Sequence, residues 1–250
     1  MNVTDIRTTT WGKVKGIVYD LAVLPWGATE PHNYHLPYLT DTLCARNISL
    51  DALQWAVQKA DINGLLLPPI ALGSQNPGQR ENAGCISTRF ETQKAILSDI
   101  VESLDMQGIN ILIIVNGHGG NSFKQMIRDL TLDFPDTLIA CVDWFAIIPQ
   151  EGYFEEKDDH AGEMETSVML YYHPELVNMS EAGNGASKPF AIDSLNDKTG
   201  WIPRDWAEIS SDTGVGNPKK ATAEKGERYA KAVAAKIGQL LVDLATKSVY

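Results

Sequence analysis

A layered α/β fold with a central, mostly parallel sheet flanked by helices is predicted for this chain by three observations. Short continuous apolar runs recur between turn residues, helical periodicity fills the gaps, and polar motifs sit where the runs end. Continuous rather than alternating runs suit strands covered on both faces. The first, Ile17–Leu24, leads into Pro25-Trp26-Gly27, and Thr42–Ala60 follows as a candidate helix. A second run, Leu65–Leu72, carries Pro68 and Pro69. Thr88–Gln107 then sets Ile96, Leu97, Ile100, Val101 and Leu104 on one helical face, with Thr88 and Glu91 spaced as a capping box and Gly108 as the stop. Ile111–Val115 is the strongest strand, and after it Ser122–Leu132 places Phe123, Met126, Ile127 and Leu130 at helical spacing. Leu138–Phe145 reads as a fourth strand, and Tyr229–Leu244 as a closing helix with Val233, Ile237, Leu240, Leu241 and Leu244 on one stripe. Residues 178–225, rich in Gly, Ser, Asn, Asp and Pro, break this alternation within what is expected to be a single domain over 1–250. That length argues for an ordered excursion, a lid or a subunit contact, displaying Phe190, Trp201, Ile202 and Trp206.

The 250 residues, 44% of them hydrophobic, are enough for a sizeable core, which excludes a disordered chain. Twenty-one basic against 32 acidic residues give a net charge of −11, the wrong sign for gripping nucleic-acid phosphates or an anionic membrane. Cys44, Cys85 and Cys141 form no CxxC pair and no even disulfide framework, so they are expected to be small buried apolar residues of a reducing compartment. The N-terminal stretch lacks the apolar segment of a signal peptide, and no run approaches a membrane span; a cytoplasmic protein is expected.

Four of the five histidines fall in polar clusters beside predicted strands or helices, where open α/β sheets place ligands. His32 and His35 lie in a segment running from Glu30 to Asp41, His118 in Asn116-Gly-His-Gly-Gly-Asn121, and His160 in a segment reaching Glu163 and Glu165; His173 stands apart. Imidazole and carboxylate ligands together suit Zn²⁺, Mn²⁺ or Fe²⁺, and a carboxylate can bridge two ions roughly 3.5–4 Å apart. Glu30, His32, Asp41 and His118 could supply such a mixed set. Each motif also has a plainer reading: exposed side chains at Glu30 and His32, a helix N-cap at Asp41, an anion-cradling glycine turn around His118, a solvated charge cluster around His160. The coincidence of three clusters favours the metal.

These residues resemble the creatininase (creatinine amidohydrolase) family. The resemblance rests on Leu24-Pro-Trp-Gly27 leading to Glu30, His32, His35-Leu-Pro37 and Thr40-Asp41, and on Asn116-Gly-His-Gly-Gly-Asn121. It extends to His160-Ala-Gly-Glu163 with Glu165-Thr-Ser167, Asp212-Thr-Gly-Val-Gly-Asn-Pro218 and Ala221-Thr-Ala-Glu-Lys-Gly226. It implies a homo-oligomer, with a hexamer favoured, and a centre of two divalent ions, zinc first and manganese or iron as alternatives. Carried over, Glu30 and His118 bind one ion, His32 the other, and Asp41 bridges them. Some members have a Glu within the second motif that completes the second ion's shell; here that position is Gly120, and Glu165 is the candidate replacement. Gln79 stands where a His is common, and Ala83-Gly84-Cys85 replaces a usual Pro-Gly-Thr.

The activity so implied is hydrolysis of a carbon–nitrogen amide bond in a small substrate by a hydroxide shared between the ions, water's pKa being lowered from about 15.7 toward neutrality. His160 is the expected general acid toward the leaving nitrogen, with Glu163 orienting it or the substrate. His35, Ser74, Gly119 and Asn121 are expected to contact the substrate or to steady the ligands. Creatinine, a formamide-bearing nucleotide intermediate and a small peptide compete as substrates. Arg80, Arg89 and Lys124 are the cations available to a nucleotide. A non-catalytic metal-binding homologue is the contrasting possibility.

Overall fold

The computed structural model describes residues 2–250. Its elements, in order, are β1 (Asn2–Asp5), α1 (Trp11–Val14), β2 (Leu21–Trp26), α2 (Thr40–Lys59), β3 (Asn63–Leu66), α3 (Phe90–Met106), β4 (Ile111–Asn116), α4 (Phe123–Asp133) and β5 (Leu138–Asp143). Then come β6 (Asp158–His160), α5 (Glu163–Tyr172), α6 (Asp193–Asn196), α7 (Trp206–Ile209), β7 (Val215–Gly216) and α8 (Ala223–Thr246). Five strands form one parallel sheet in the order β1-β3-β2-β4-β5; β2 to β5 fall within or overlap the four predicted apolar runs, and β1 adds an unpredicted edge strand. Alternate residues of the central strands serve opposite layers. Leu21, Val23, Ile113 and Val115 pack with α2, α5 and α8, whereas Ala22, Leu24, Leu112 and Ile114 pack with α3 and α4.

Several boundaries differ from expectation. Residues 17–20 precede the first predicted strand rather than forming part of it, and β3 stops at Leu66, ahead of Pro68 and Pro69. Thr88 does not cap α3: the helix starts at Phe90 after Arg89, and the Thr88 hydroxyl instead donates to the Gly73 carbonyl and accepts from Gln93. Gly108 does close that helix, at φ +72°. Cys44 is buried, but Cys85 and Cys141 are only partly so. Among the described residues, seven elements join the predicted ones: β1, α1, β6, α5, α6, α7 and β7.

The order of the sheet positions the site. Strands β2 and β4 are neighbours, with Trp26 opposite Asn116, yet their following helices, α2 and α4, pack on opposite faces. The loops leaving the two carboxyl ends therefore diverge and open a crevice. Residues 178–225 form an ordered strap over it: β7 pairs with β6, Trp206 N donates to the Pro77 carbonyl, and Asn33 N donates to Thr213 Oγ1 at 2.9 Å. Of its apolar residues, Trp201 and Ile202 are exposed as expected, but Phe190 is half-buried and Trp206 is buried. At the strap's end, a Cβ on Gly226 would lie 1.9 Å from the Ser167 carbonyl, so only glycine lets α8 approach α5 this closely.

Candidate metal centre

The crevice gathers Glu30 and His32 from the loop after β2, Asp41 from the first turn of α2, and His118 from the loop after β4. It also gathers His160 from the end of β6 and Glu165 from the first turn of α5, and all six are buried. Asp41 is no N-cap; that place belongs to Leu39. Three sets of their ligand atoms each lie within 4.8 Å of one another: Glu30, Asp41 and His118; His32, Asp41 and Glu165; Glu30, His32 and His160. Asp41 joins the first two, its Oδ1 2.9 Å from His32 Nε2 and its Oδ2 3.0 Å from His118 Nδ1.

Hydrogen bonding fixes which nitrogen of each ring faces inward. His32 Nδ1 donates to the Glu30 carbonyl at 3.0 Å, His118 Nε2 to the Ser74 carbonyl at 2.8 Å, and His160 Nε2 to the Pro31 carbonyl at 2.9 Å. In the neutral rings the opposite nitrogens are then lone pairs aimed at carboxylates. His118 Nδ1 lies 3.0 Å from Glu30 Oε1, and His160 Nδ1 lies 3.7 Å from the same oxygen. Asp41 Oδ2 receives no hydrogen bond. With the rings neutral, these acceptors converge on rings steadied through their other nitrogen, a set that fits a divalent cation.

The local field agrees. Burial disfavours a charged His32, but Asp41, Glu165 and Glu30 outweigh it and raise its pKa to about 10. His118 is raised well above the ordinary value as Glu30 and Asp41 likewise overcome burial. Asp41, against its burial, is held far below the carboxylate range by His32 and His118. A field that retains protons on these rings is one that a cation can occupy in their place.

Backbone strain accompanies the cluster. Asn33, Ala161 and Thr213 are non-glycine residues at φ +54°, +53° and +65°, next to His32, next to His160 and on the strap. Glu165 Oε2 accepts from Ala161 N at 2.6 Å, tying that bend to the helix carrying Glu165.

The remaining predicted residues surround this core at different removes. His35 Nε2 meets Thr166 Oγ1 at 2.8 Å, and burial, then the charge of His32, lowers its pKa to about 4. Ser74 contributes its carbonyl to His118, and Asn121 Oδ1 accepts from Ser74 N at 3.3 Å. Gly119 faces open space. Glu163 is not brought to the cluster by its hydrogen bonds: it accepts from Glu155 N, Glu156 N and Lys225 Nζ at 2.9, 2.7 and 2.5 Å. His173 bonds Asn47 and Glu175 away from the centre. Arg80 donates to the Gln75 carbonyl.

Two contributors carried too little local signal to be assigned. Gln79 Nε2 donates to Glu30 Oε2, leaving Oε1 for the histidines; its only mark in the sequence is that it replaces a common His. The Trp206 ring meets the His160 ring edge-on, centroids 5.4 Å apart, from a segment whose composition reads as loop.

The family model for creatininase, described as creatinine amidohydrolase, matches residues 7–241. The chain belongs to the creatininase family. It is 32% identical over 213 residues to the mycofactocin precursor peptide peptidase of Mycobacterium ulcerans, a match covering 82% of this chain and 78% of that one. A solved Bacteroides fragilis protein, named provisionally as a creatinine amidohydrolase, superposes with a TM-score of 0.96 at 55% identity over 98% of both chains. Two solved creatininases, a mutant of Zn–Zn type and one with Mn, share the fold at TM-scores of 0.76 and 0.75 and 22% and 20% identity, over 96% of this chain and 98% of theirs. As a creatininase-family protein with relatives named for peptidase and amidohydrolase activity, the chain is a hydrolase.

Proposed function

We propose that this hydrolase cleaves a carbon–nitrogen amide bond at two divalent cations, one held by Glu30, His118 and Asp41, the other by His32, Glu165 and Asp41. The observation that carries the reading is Asp41, whose two oxygens face two different histidines from one buried carboxylate. When bound, such ions acidify water and polarise a carbonyl. Zinc or manganese is favoured by the mixed nitrogen and oxygen ligands and by the metals named for the solved creatininases.

The chain's own groups do the rest. Gln79 pins one oxygen of Glu30 and so aims the other. His160, with Nε2 engaged by the Pro31 carbonyl, has Nδ1 as the atom that takes up a proton and returns it to the leaving nitrogen. Glu163 serves this step at one remove, by fixing the turn at Glu155 and Glu156 and the start of α5 through Lys225. Relatives named as a peptide peptidase and a creatinine amidohydrolase favour a small peptide or cyclic amide as substrate. The reading includes a cytoplasmic homo-oligomer, with exposed Trp201 and Ile202 available to a subunit contact.

Elemental analysis together with an amide-substrate screen tests it. Asp41→Ala is expected to lose both bound metal and activity; His160→Ala is expected to keep its metal and lose about 10²–10⁴ in rate. Full metal occupancy in Asp41→Ala would refute the bridge.

A further inference from the structure

We propose that Arg204 is the specificity-determining residue of this site and recognises a carboxylate on the substrate, so that the preferred amide bears a free acid group near the bond that is cut. The proposal rests on the amide-hydrolase reading and adds the substrate's charge to it. The Arg204 guanidinium lies 4.7 Å from the Trp206 ring centroid, over an indole that also meets the His160 ring edge-on. Trp206 is itself immobilised: its backbone N–H reaches the Pro77 carbonyl and its indole N–H reaches the Thr213 carbonyl, each at 2.8 Å. A cation is thus held on a rigid wall one aromatic ring away from the group assigned to proton transfer.

The present partner of Arg204 is Asp159, at 2.6 Å, and the two side chains are 34% and 56% exposed. An ion pair so open to water contributes little, so a substrate carboxylate can replace Asp159 at small cost. The planar guanidinium offers a two-point fit to a carboxylate and keeps its stacking on Trp206 while doing so, which a lysine ammonium would not. Asp159 and His160 are neighbours in β6 whose side chains serve opposite faces, Asp159 outward and His160 inward, and Trp206 is the group that touches both Arg204 and the His160 ring. The groups gathered at the centre are carboxylates and imidazoles, and Arg204 brings a permanent cation to the Trp206 wall beside them.

The test is calorimetric binding of N-acetyl dipeptides, as free acids and as C-terminal amides, to the metal-loaded protein, with turnover measured separately. Wild type is expected to bind the acid at least tenfold more tightly than the amide. Arg204→Gln should abolish that preference, and Arg204→Lys should restore part of it. Asp159→Asn, which removes the competing carboxylate, should tighten acid binding, a gain that a damaged fold does not produce. Equal affinities for acid and amide in wild type, or an acid preference that survives in Arg204→Gln, would overturn the assignment. Failure to hydrolyse any peptide, with the binding pattern intact, would count against the amidase reading alone.

Discussion

Gly120 leaves room that a larger side chain would take from the orienting bond of His118. A Cβ built there would meet the Ser74 carbonyl at 2.1 Å and His118 Nε2 at 2.5 Å, the two ends of the hydrogen bond that orients His118. The glutamate of other family members therefore does not fit this loop as it stands, while Glu165 comes within 4.0 Å of His32 Nε2 from α5. Gly120→Glu should weaken metal binding about 10- to 100-fold by displacing His118, as read by chelator competition. Glu165→Gln should lose one equivalent of metal. Unchanged affinity in the first variant would mean that position 120 can still supply a ligand, and unchanged stoichiometry in the second would exclude Glu165. At this scale the sequence disclosed the residues that the fold gathers into the buried cluster, because His, Glu and Asp grouped beside glycine turns are unusual enough to be noticed. It did not disclose Gln79 or the proton-accepting carbonyls of Glu30, Pro31 and Ser74, since a carbonyl's direction belongs to the backbone path and not to residue type.

Elements were legible in proportion to how far burial followed an apolar pattern. Strands β2 and β4 announced themselves because both faces are covered, so nearly every residue is apolar. Helix α5 did not, because its buried residues include Glu163, Glu165, Thr166 and Ser167, which serve the site and the strap rather than the core. Strand β1 is a short edge strand with Asp5 at its end, where one-sided pairing demands no apolar run. The tight seam of α5 with α8 yields its own expectation. Gly226→Ala should destabilise the fold by about 1–3 kcal/mol in thermal unfolding, since its methyl group would collide with the Ser167 backbone. Metal affinity should fall with it, as α5 carries Glu165; a variant as stable as wild type would show that the helices can separate without cost.

For the whole molecule, metal and pH are linked variables. In metal-free protein His32 has a pKa of about 10 against an ordinary 6.5, and His118 is raised as well. Because the folded pKa is the higher one, the stabilisation from those protons is complete below about pH 6.5 and is lost as pH rises toward 10. Metal-stripped protein should therefore lose thermal stability across that alkaline range, while metal-loaded protein, whose cations replace the protons, should not. Calorimetry in buffers of different ionisation enthalpy should show proton release on metal binding; none would mean that these rings are not ligands. Neutralising buried carboxylates in this way also bears on the acidic excess: two divalent ions would move the formal charge from −11 to about −7, so part of that excess belongs to the site and not to the surface.

The hydrogen bond from Asn33 to Thr213 joins residues 180 positions apart. During synthesis the loop that carries Glu30 and His32 is made early, but the segment that clasps it emerges 180 residues later. On the proposed reading, capture of metal in its final geometry would be a late event in biogenesis, because a nascent chain that has not reached Thr213 lacks the clasp on the loop that carries His32. Metal loading would then report that synthesis has passed Thr213 and that the strap has closed on the first loop.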